Sequence, residues 1–256
     1  MRRSFASGSR RRRSRHEPVR RSELTPKAGA RVLTEADRPI SPYHKPGFYD
    51  VALARGQHRD IVGGRWDETG RAQMQILMQA GLRPDHHLLD IGAGSLRLGC
   101  KAVPYLDPGH YWATDKSRAL MLRGHEAELA DPSRLPENHL IEDEDFAFPG
   151  VPQSISHILA FAVFTHLPLD HLARALAQIH ARFPALEPLL FTVFLAPEGT
   201  AAGFRQTDGV VTHPARAPYH FAAAQVGAVL QEAGFSGQEQ TLRLPRGQVL
   251  FSARRR

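Results

Sequence analysis

The stretch Leu88-Leu89-Asp90-Ile91-Gly92-Ala93-Gly94-Ser95-Leu96-Arg97-Leu98-Gly99 decides how this chain reads. A short apolar run ends in a carboxylate and two closely spaced glycines, and an apolar pattern of helical period follows; this describes a buried strand turning sharply into a helix over 95–105. Such a turn offers bare backbone. Gly92 and Gly94 allow unusual dihedrals and a ligand's close approach, while the helix behind them points unpaired N–H groups at negative charge.

Spacing separates the ligands that use a turn of this kind. A phosphate loop needs GxxxxGK[ST], but Gly99 is followed by Cys100 and then Lys101, so the lysine is one residue late and the metal-binding hydroxyl is missing. A dinucleotide fingerprint, GxGxxG counted from Gly92, would put its last glycine where Arg97 stands, which disfavours nicotinamide-dependent redox chemistry. An acid two residues before GxG fits best.

That pattern resembles the first motif of the bacterial Rossmann-like (class I) S-adenosylmethionine-dependent methyltransferases. VGGRWDETGRAQ (62–73), HYWATD (110–115), AVFTHLPLDHL (162–172), APYHF (217–221) and LPRGQVLF (244–251) strengthen the likeness, which spans 46–253. It implies an α/β fold: a Rossmann-like seven-stranded sheet, mostly parallel with an antiparallel final strand, flanked by helices. S-adenosylmethionine is the implied cofactor, with Asp90, Gly92, Ala93 and Gly94 at its amino-acid end. Asp115 ends the second strand 21 residues after Gly94 and suits both ribose hydroxyls, the reading the glycine turn favours; a cap for the helix over 117–129 is the alternative. Lys116 stands beside it. Four acids, Glu142 to Asp145, close the third strand, 139–142; Asp143 and Asp145 are both candidates for the adenine amino group, with Phe146 packing on the ring, and a solvated acidic turn is the plain alternative. Ala160 and Phe161 complete the set at the end of strand four, 155–161. The sequence FTHL then stands where enzymes that methylate nucleobase amino groups commonly carry [ND]PP[YF], which argues against that chemistry.

Elsewhere the chain reads as supporting structure. A connector from Pro39 to Pro46 leads into a short amphipathic helix within 47–61, then a helix from Asp67 or Thr69 to Ala80. Trp66 could cover the cofactor or plug the core edge. A helix spans 169–183, strand five 189–195, a helix 221–233, and a final antiparallel pair 237–243 and 247–253. Residues 196–218 form a long polar insertion of the kind that serves as a lid over an acceptor. The resulting division is an Arg-rich arm over 1–30, a connector with helices over 31–80, and a cofactor-binding domain over 81–253.

Charge is distributed unevenly. Residues 1–27 hold ten basic residues against Glu17 and Glu23, net +8, while the whole chain is +7, so the remainder is mildly acidic. The arm is expected to be disordered and either a solubilising tail or a nonspecific contact for nucleic acid. Arg2-Arg3 precedes no apolar run, no stretch approaches the ~18 apolar residues of a membrane span, and a single cysteine, Cys100, suits a reducing cytoplasm.

Methyl transfer needs positioning and water exclusion, with a base only if the acceptor must lose a proton early. Histidine titrates near neutrality, so His166, at the end of strand four, and His220 are the candidate bases, with His213 behind them. His166 could instead serve as a structural hydrogen bond closing its turn. No histidine pair has a metal-ligand spacing with carboxylate or cysteine support. A small-molecule acceptor is the leading expectation. RNA or ribosomal methylation tethered by the arm, and a noncatalytic cofactor-binding partner protein, are the alternatives.

Overall fold

The computed structural model describes residues 40–242 and 244–256. The arm expected over 1–30 lies outside them. Seven strands form one sheet in the order β3-β2-β1-β4-β5-β9-β8. They are β1 (Leu88–Ile91), β2 (Tyr111–Asp115), β3 (Leu140–Glu142), β4 (His157–Ala160), β5 (Leu189–Val193), β8 (Phe235–Gln240) and β9 (Val249–Arg255). The first five are mutually parallel, and β9 runs antiparallel to both β5 and β8. The sheet is thus Rossmann-like, with one reversed strand.

Helices cover both faces, so the central strands are buried throughout and read as continuous apolar runs rather than as alternations. Successive side chains still divide between the faces. Leu89, Ile91, Ile158, Ala160 and Phe191 meet α5 (Leu169–Arg182) and α6 (Ala223–Glu232) through Leu172, Leu176, Ile179, Val226 and Leu230. Leu88, Ala113, Leu159 and Leu190 face the other way, onto α2 (Trp66–Gln79), α3 (Gly99–Tyr105) and α4 (Arg118–Glu128), through Ile76, Leu77, Ala102, Val103 and Met121.

The departures from the sequence reading have local causes. The helix after the glycine turn begins at Gly99 rather than Ser95, because Leu96 adopts a left-handed φ of 61° that no α-helix tolerates. The first helix is short, α1 (Phe48–Ala54), and the chain then turns at Gly56, φ 67°. Strands four and five end earlier than expected, α6 is shorter at both ends, and the last two strands each shift by about two residues. The 196–218 insertion contains a small hairpin, β6 (Phe204–Arg205) with β7 (Val211–Thr212). No helix among the described residues is long and apolar enough to cross a membrane.

Candidate active site

The strand order reverses between β1 and β4, so the loops leaving those two strands diverge and open a crevice at the carboxyl edge of the sheet, where open α/β sheets bind ligands. A cavity of about 250 Å³ occupies it.

Its floor is the glycine turn. The N–H groups of Gly92 and Ala93 donate to the Thr114 carbonyl at 2.8 and 3.1 Å, tying the turn to β2. Gly92 and Gly94 have φ of 71° and 57°. A Cβ at Gly92 would lie 2.4 Å from Val163 Cγ2, and one at Gly94 2.5 Å from Val62 Cγ1, so both glycines also admit close neighbours. The Gly94 N–H donates to Asp115 Oδ2 at 2.9 Å, and the Ser117 N–H donates to Oδ1 at 2.9 Å. Asp115 is therefore braced from two sides while lining the cavity, and burial raises its pKa. The side-chain cap of α4 is Ser117, whose hydroxyl accepts from Leu120 N, which leaves Asp115 out of that role.

Beyond β3 the four acids diverge. Asp143 lines the cavity, and its carboxylate accepts from the N–H groups of Asp145, Ala147 and Phe148, shaping a loop in which Phe146 takes a φ of 61° and also lines the cavity. Glu144 pairs with Lys116, both in the wall. Asp145 lies outside the wall, exposed and 3.4 Å from Arg174.

The loop after β4 supplies Phe161 and His166 to the wall. Its turn depends on Ala162, at φ 61°, whose N–H donates to Thr192 Oγ1 at 2.8 Å; Thr165 Oγ1 donates to the Ala162 carbonyl at 2.9 Å. That loop is thus closed by threonines rather than by the His166 ring. The imidazole lies edge-on to Tyr43, centroids 4.8 Å apart, with Nδ1 unpartnered among the described residues. Burial, and secondarily the Arg246 guanidinium, push it down to about 4, so it is neutral at pH 7.

Four expected site residues lie elsewhere. Asp90 is buried under the turn, where the Tyr111 hydroxyl donates to Oδ2 at 2.7 Å and burial pushes the carboxyl up to about 7. Ala160 is in the core, Asp145 faces Arg174, and His220 is buried against Thr212 Oγ1 at 2.9 Å, holding the insertion together. His213 is likewise outside the wall, as is Trp66, which sits under the Arg59 guanidinium. Of the insertion, Val210 and Pro218 reach the cavity.

Sequence reasoning missed the roof. Tyr43 and Tyr49 come from a segment read as connector and helix, anchored where the Tyr219 hydroxyl donates to the Ile40 carbonyl at 3.1 Å. Burial raises the pKa of both tyrosines. Aromatic residues crowded beside prolines were the available signal. Arg97 and Gln73 also line the cavity: Arg97 Nη1 donates to the Val62 and Gly64 carbonyls at 2.9 and 3.2 Å, pinning the 61–65 loop. Arg97 Nε and Gln73 Oε1 are buried without partners among the described residues. Seven further buried side-chain atoms away from the cavity are likewise unpartnered among the described residues, so these two and His166 Nδ1 do not by themselves mark a ligand site.

No protein-family model matches the chain, and no curated protein matches it. Solved structures do. Magnesium protoporphyrin IX methyltransferase from Synechocystis PCC 6803, with bound SAM, is 16% identical at a TM-score of 0.52, over 84% of this chain and 94% of that one. The glycopeptide N-methyltransferase MtfA, complexed with SAM, is 14% identical at 0.53 over 73% and 94%. A TehB-like SAM-dependent methyltransferase from Corynebacterium glutamicum is 15% identical at 0.53 over 83% and 100%. At such identities the likeness establishes architecture: this chain has the Rossmann-like fold of SAM-dependent methyltransferases.

Proposed function

We propose that this protein transfers the methyl group of S-adenosylmethionine to a small-molecule acceptor bound in the carboxyl-edge cavity. The observation that carries the reading is the Asp115 carboxylate, which accepts from the Gly94 N–H between the neighbouring ends of β2 and β1 and lines the cavity beside the bare backbone of Gly92 and Gly94. The cofactor itself is the molecule found in two of the methyltransferase structures that share the fold.

When bound, the cofactor supplies a sulfonium methyl group, whose bond to sulfur breaks as one to the acceptor's nucleophile forms, the sulfur keeping the electron pair. The chain's own residues bind, orient and exclude water. Asp115 would accept from the ribose hydroxyls with the lone pairs its two backbone donors leave free. Phe146 would pack on adenine, and Asp143 rather than Asp145 is the acid on that side. Arg97 and Gln73 offer a guanidinium for the carboxylate and an amide oxygen for the ammonium of the amino-acid tail. Tyr43 and Tyr49 roof the cavity against water. Neutral His166 can accept a hydrogen bond or a late-departing proton at Nε2, the ring nitrogen that is not buried.

Calorimetric titration of the full chain with S-adenosylhomocysteine tests this. Saturable one-to-one binding that NADH does not displace is expected; no binding, or displacement by NADH, overturns it. Transfer of a tritiated methyl group to RNA but not to small-molecule extracts would replace the acceptor class.

A further inference from the structure

Six charged side chains line the cavity: Lys116, Arg97 and Arg246 against Asp115, Asp143 and Glu144. Most already have work. Lys116 and Glu144 pair, Asp143 holds its loop, Asp115 is braced by two N–H groups, and Arg97 clasps two carbonyls. Arg246 differs. Among the described residues its guanidinium has no carboxylate within ion-pair distance; its one side-chain partner is the neutral Gly63 carbonyl, 2.6 Å from Nη2.

Its backbone is unusual as well. Arg246 has a φ of 66° and sits beside Gly247, and its N–H is held by Asp208 Oδ2 at 2.8 Å. A long side chain in the left-handed region is strained, and such strain persists where surrounding structure enforces it. Here it brings a cation, exposed to solvent, to the rim of a cavity that Tyr43, Tyr49, Phe194 and His166 also line, and its charge is felt at Tyr43 and His166. A sulfonium placed in the same cavity adds a further positive charge, which an unpaired guanidinium repels.

We propose that the acceptor is a small organic oxyanion with a ring-sized apolar body, its carboxylate or phosphate received by the Arg246 guanidinium and its nucleophile presented toward His166. The proposal rests on the methyl-transfer reading for the position of the sulfonium. A bidentate oxyanion would neutralise Arg246 and thereby also lift its charge from His166, whose pKa Arg246 helps to depress.

The test uses the full chain saturated with S-adenosylhomocysteine and three probes of similar shape: 4-hydroxybenzoate, phenyl phosphate and 4-hydroxybenzamide. Calorimetry is expected to show at least one acid binding tenfold or more tighter than the neutral amide. Arg246→Gln abolishes that advantage and Arg246→Lys, which keeps charge without the fork, retains part of it. The His166 ring resonance should titrate at higher pH when the acid is bound. Whichever acid binds tighter identifies carboxylate or phosphate as the anchor. Equal binding of acid and amide, binding by none of the three, or an acid preference that survives in Arg246→Gln overturns the proposal while leaving cofactor binding intact. Failure of S-adenosylhomocysteine itself to bind removes the methyl-transfer reading and this inference together.

Discussion

The two edges of the sheet are built in opposite ways. At the amino edge, where the strands begin, histidines stack on one another and on tryptophan. His86 and His157 lie 4.5 Å apart, His87 and His110 4.1 Å, and His139 and Trp112 3.4 Å. At the carboxyl edge, non-glycine residues are held in left-handed conformations in the turns that leave the strands: Leu96, Phe146, Phe148, Ala162 and Arg246. Each such residue costs on the order of 1–3 kcal/mol. Strain is concentrated on the edge with the cavity, and the other edge closes the core with flat rings in ordinary backbone. The difference teaches where stability has been given up to hold polar groups at fixed positions.

That contrast can be broken most directly at Gly124 of α4. A Cβ there would lie 2.1 Å from the Ser95 carbonyl oxygen, a backbone atom that cannot rotate away. Gly124→Ala should cost about 3 kcal/mol of stability, read by chemical denaturation, and should weaken S-adenosylhomocysteine binding by displacing the turn. An unchanged denaturation midpoint would show that the turn is not pinned by this helix.

Asp115→Ala removes the brace and the proposed ribose contact together. Binding of S-adenosylhomocysteine should fall roughly thirty- to hundredfold, about 2–3 kcal/mol, and the fold should lose about 1–2 kcal/mol as the Gly94 and Ser117 N–H groups lose their acceptor. Retained affinity would move the cofactor elsewhere in the crevice.

The amino edge is sharpened by pH. Burial, then the neighbouring His86, push His157 down to about 4, with Glu187 opposing and Arg83 reinforcing; His87 and His139 are displaced in the same direction. In the unfolded chain these rings take protons below about pH 6.5, while the folded chain refuses them until lower pH. Stability is therefore complete above pH 6.5 and declines as pH falls toward 4, by about 2 kcal/mol at pH 4.5 for His157 alone. His157→Gln should flatten the slope in denaturant melts across that window, and a wild-type slope in the variant would remove His157 as its source.

The smallest effect is expected at Ala162. Its φ of 61° is free for glycine, so Ala162→Gly should stabilise the fold by about 0.5–1 kcal/mol. Destabilisation by the same amount would mean that the turn after β4 is relaxed as it stands.

The residues 88–99 and 110–115 spoke for themselves because their signals are local. A strand that must be buried on both faces is apolar throughout, a turn needing φ above zero takes glycine, and adjacent crossover strands place Asp115 beside Gly94 at a separation readable by counting. The extent of α3 was not legible, since nothing in the residue Leu96 announces a left-handed conformation; packing imposes it on a fully buried side chain. Nor could adjacent acids be told apart. Asp143 and Asp145 differ only in which way the loop after β3 turns, and three backbone hydrogen bonds decide that.

By itself, the order of apolar runs, glycines and acids determined most of the strands and helices and the ligand turn after β1, because these follow from periodicity and turn chemistry within short segments; the seven-stranded arrangement was what the resemblance of those motifs implied. The tertiary structure alone decided what surrounds that crevice. Tyr43 comes to rest against His166 from more than a hundred residues away, and Arg246 reaches back to the Gly63 carbonyl. Contacts so distant along the chain are set by how layers pack, and that packing is a property of the whole sheet rather than of any stretch within it.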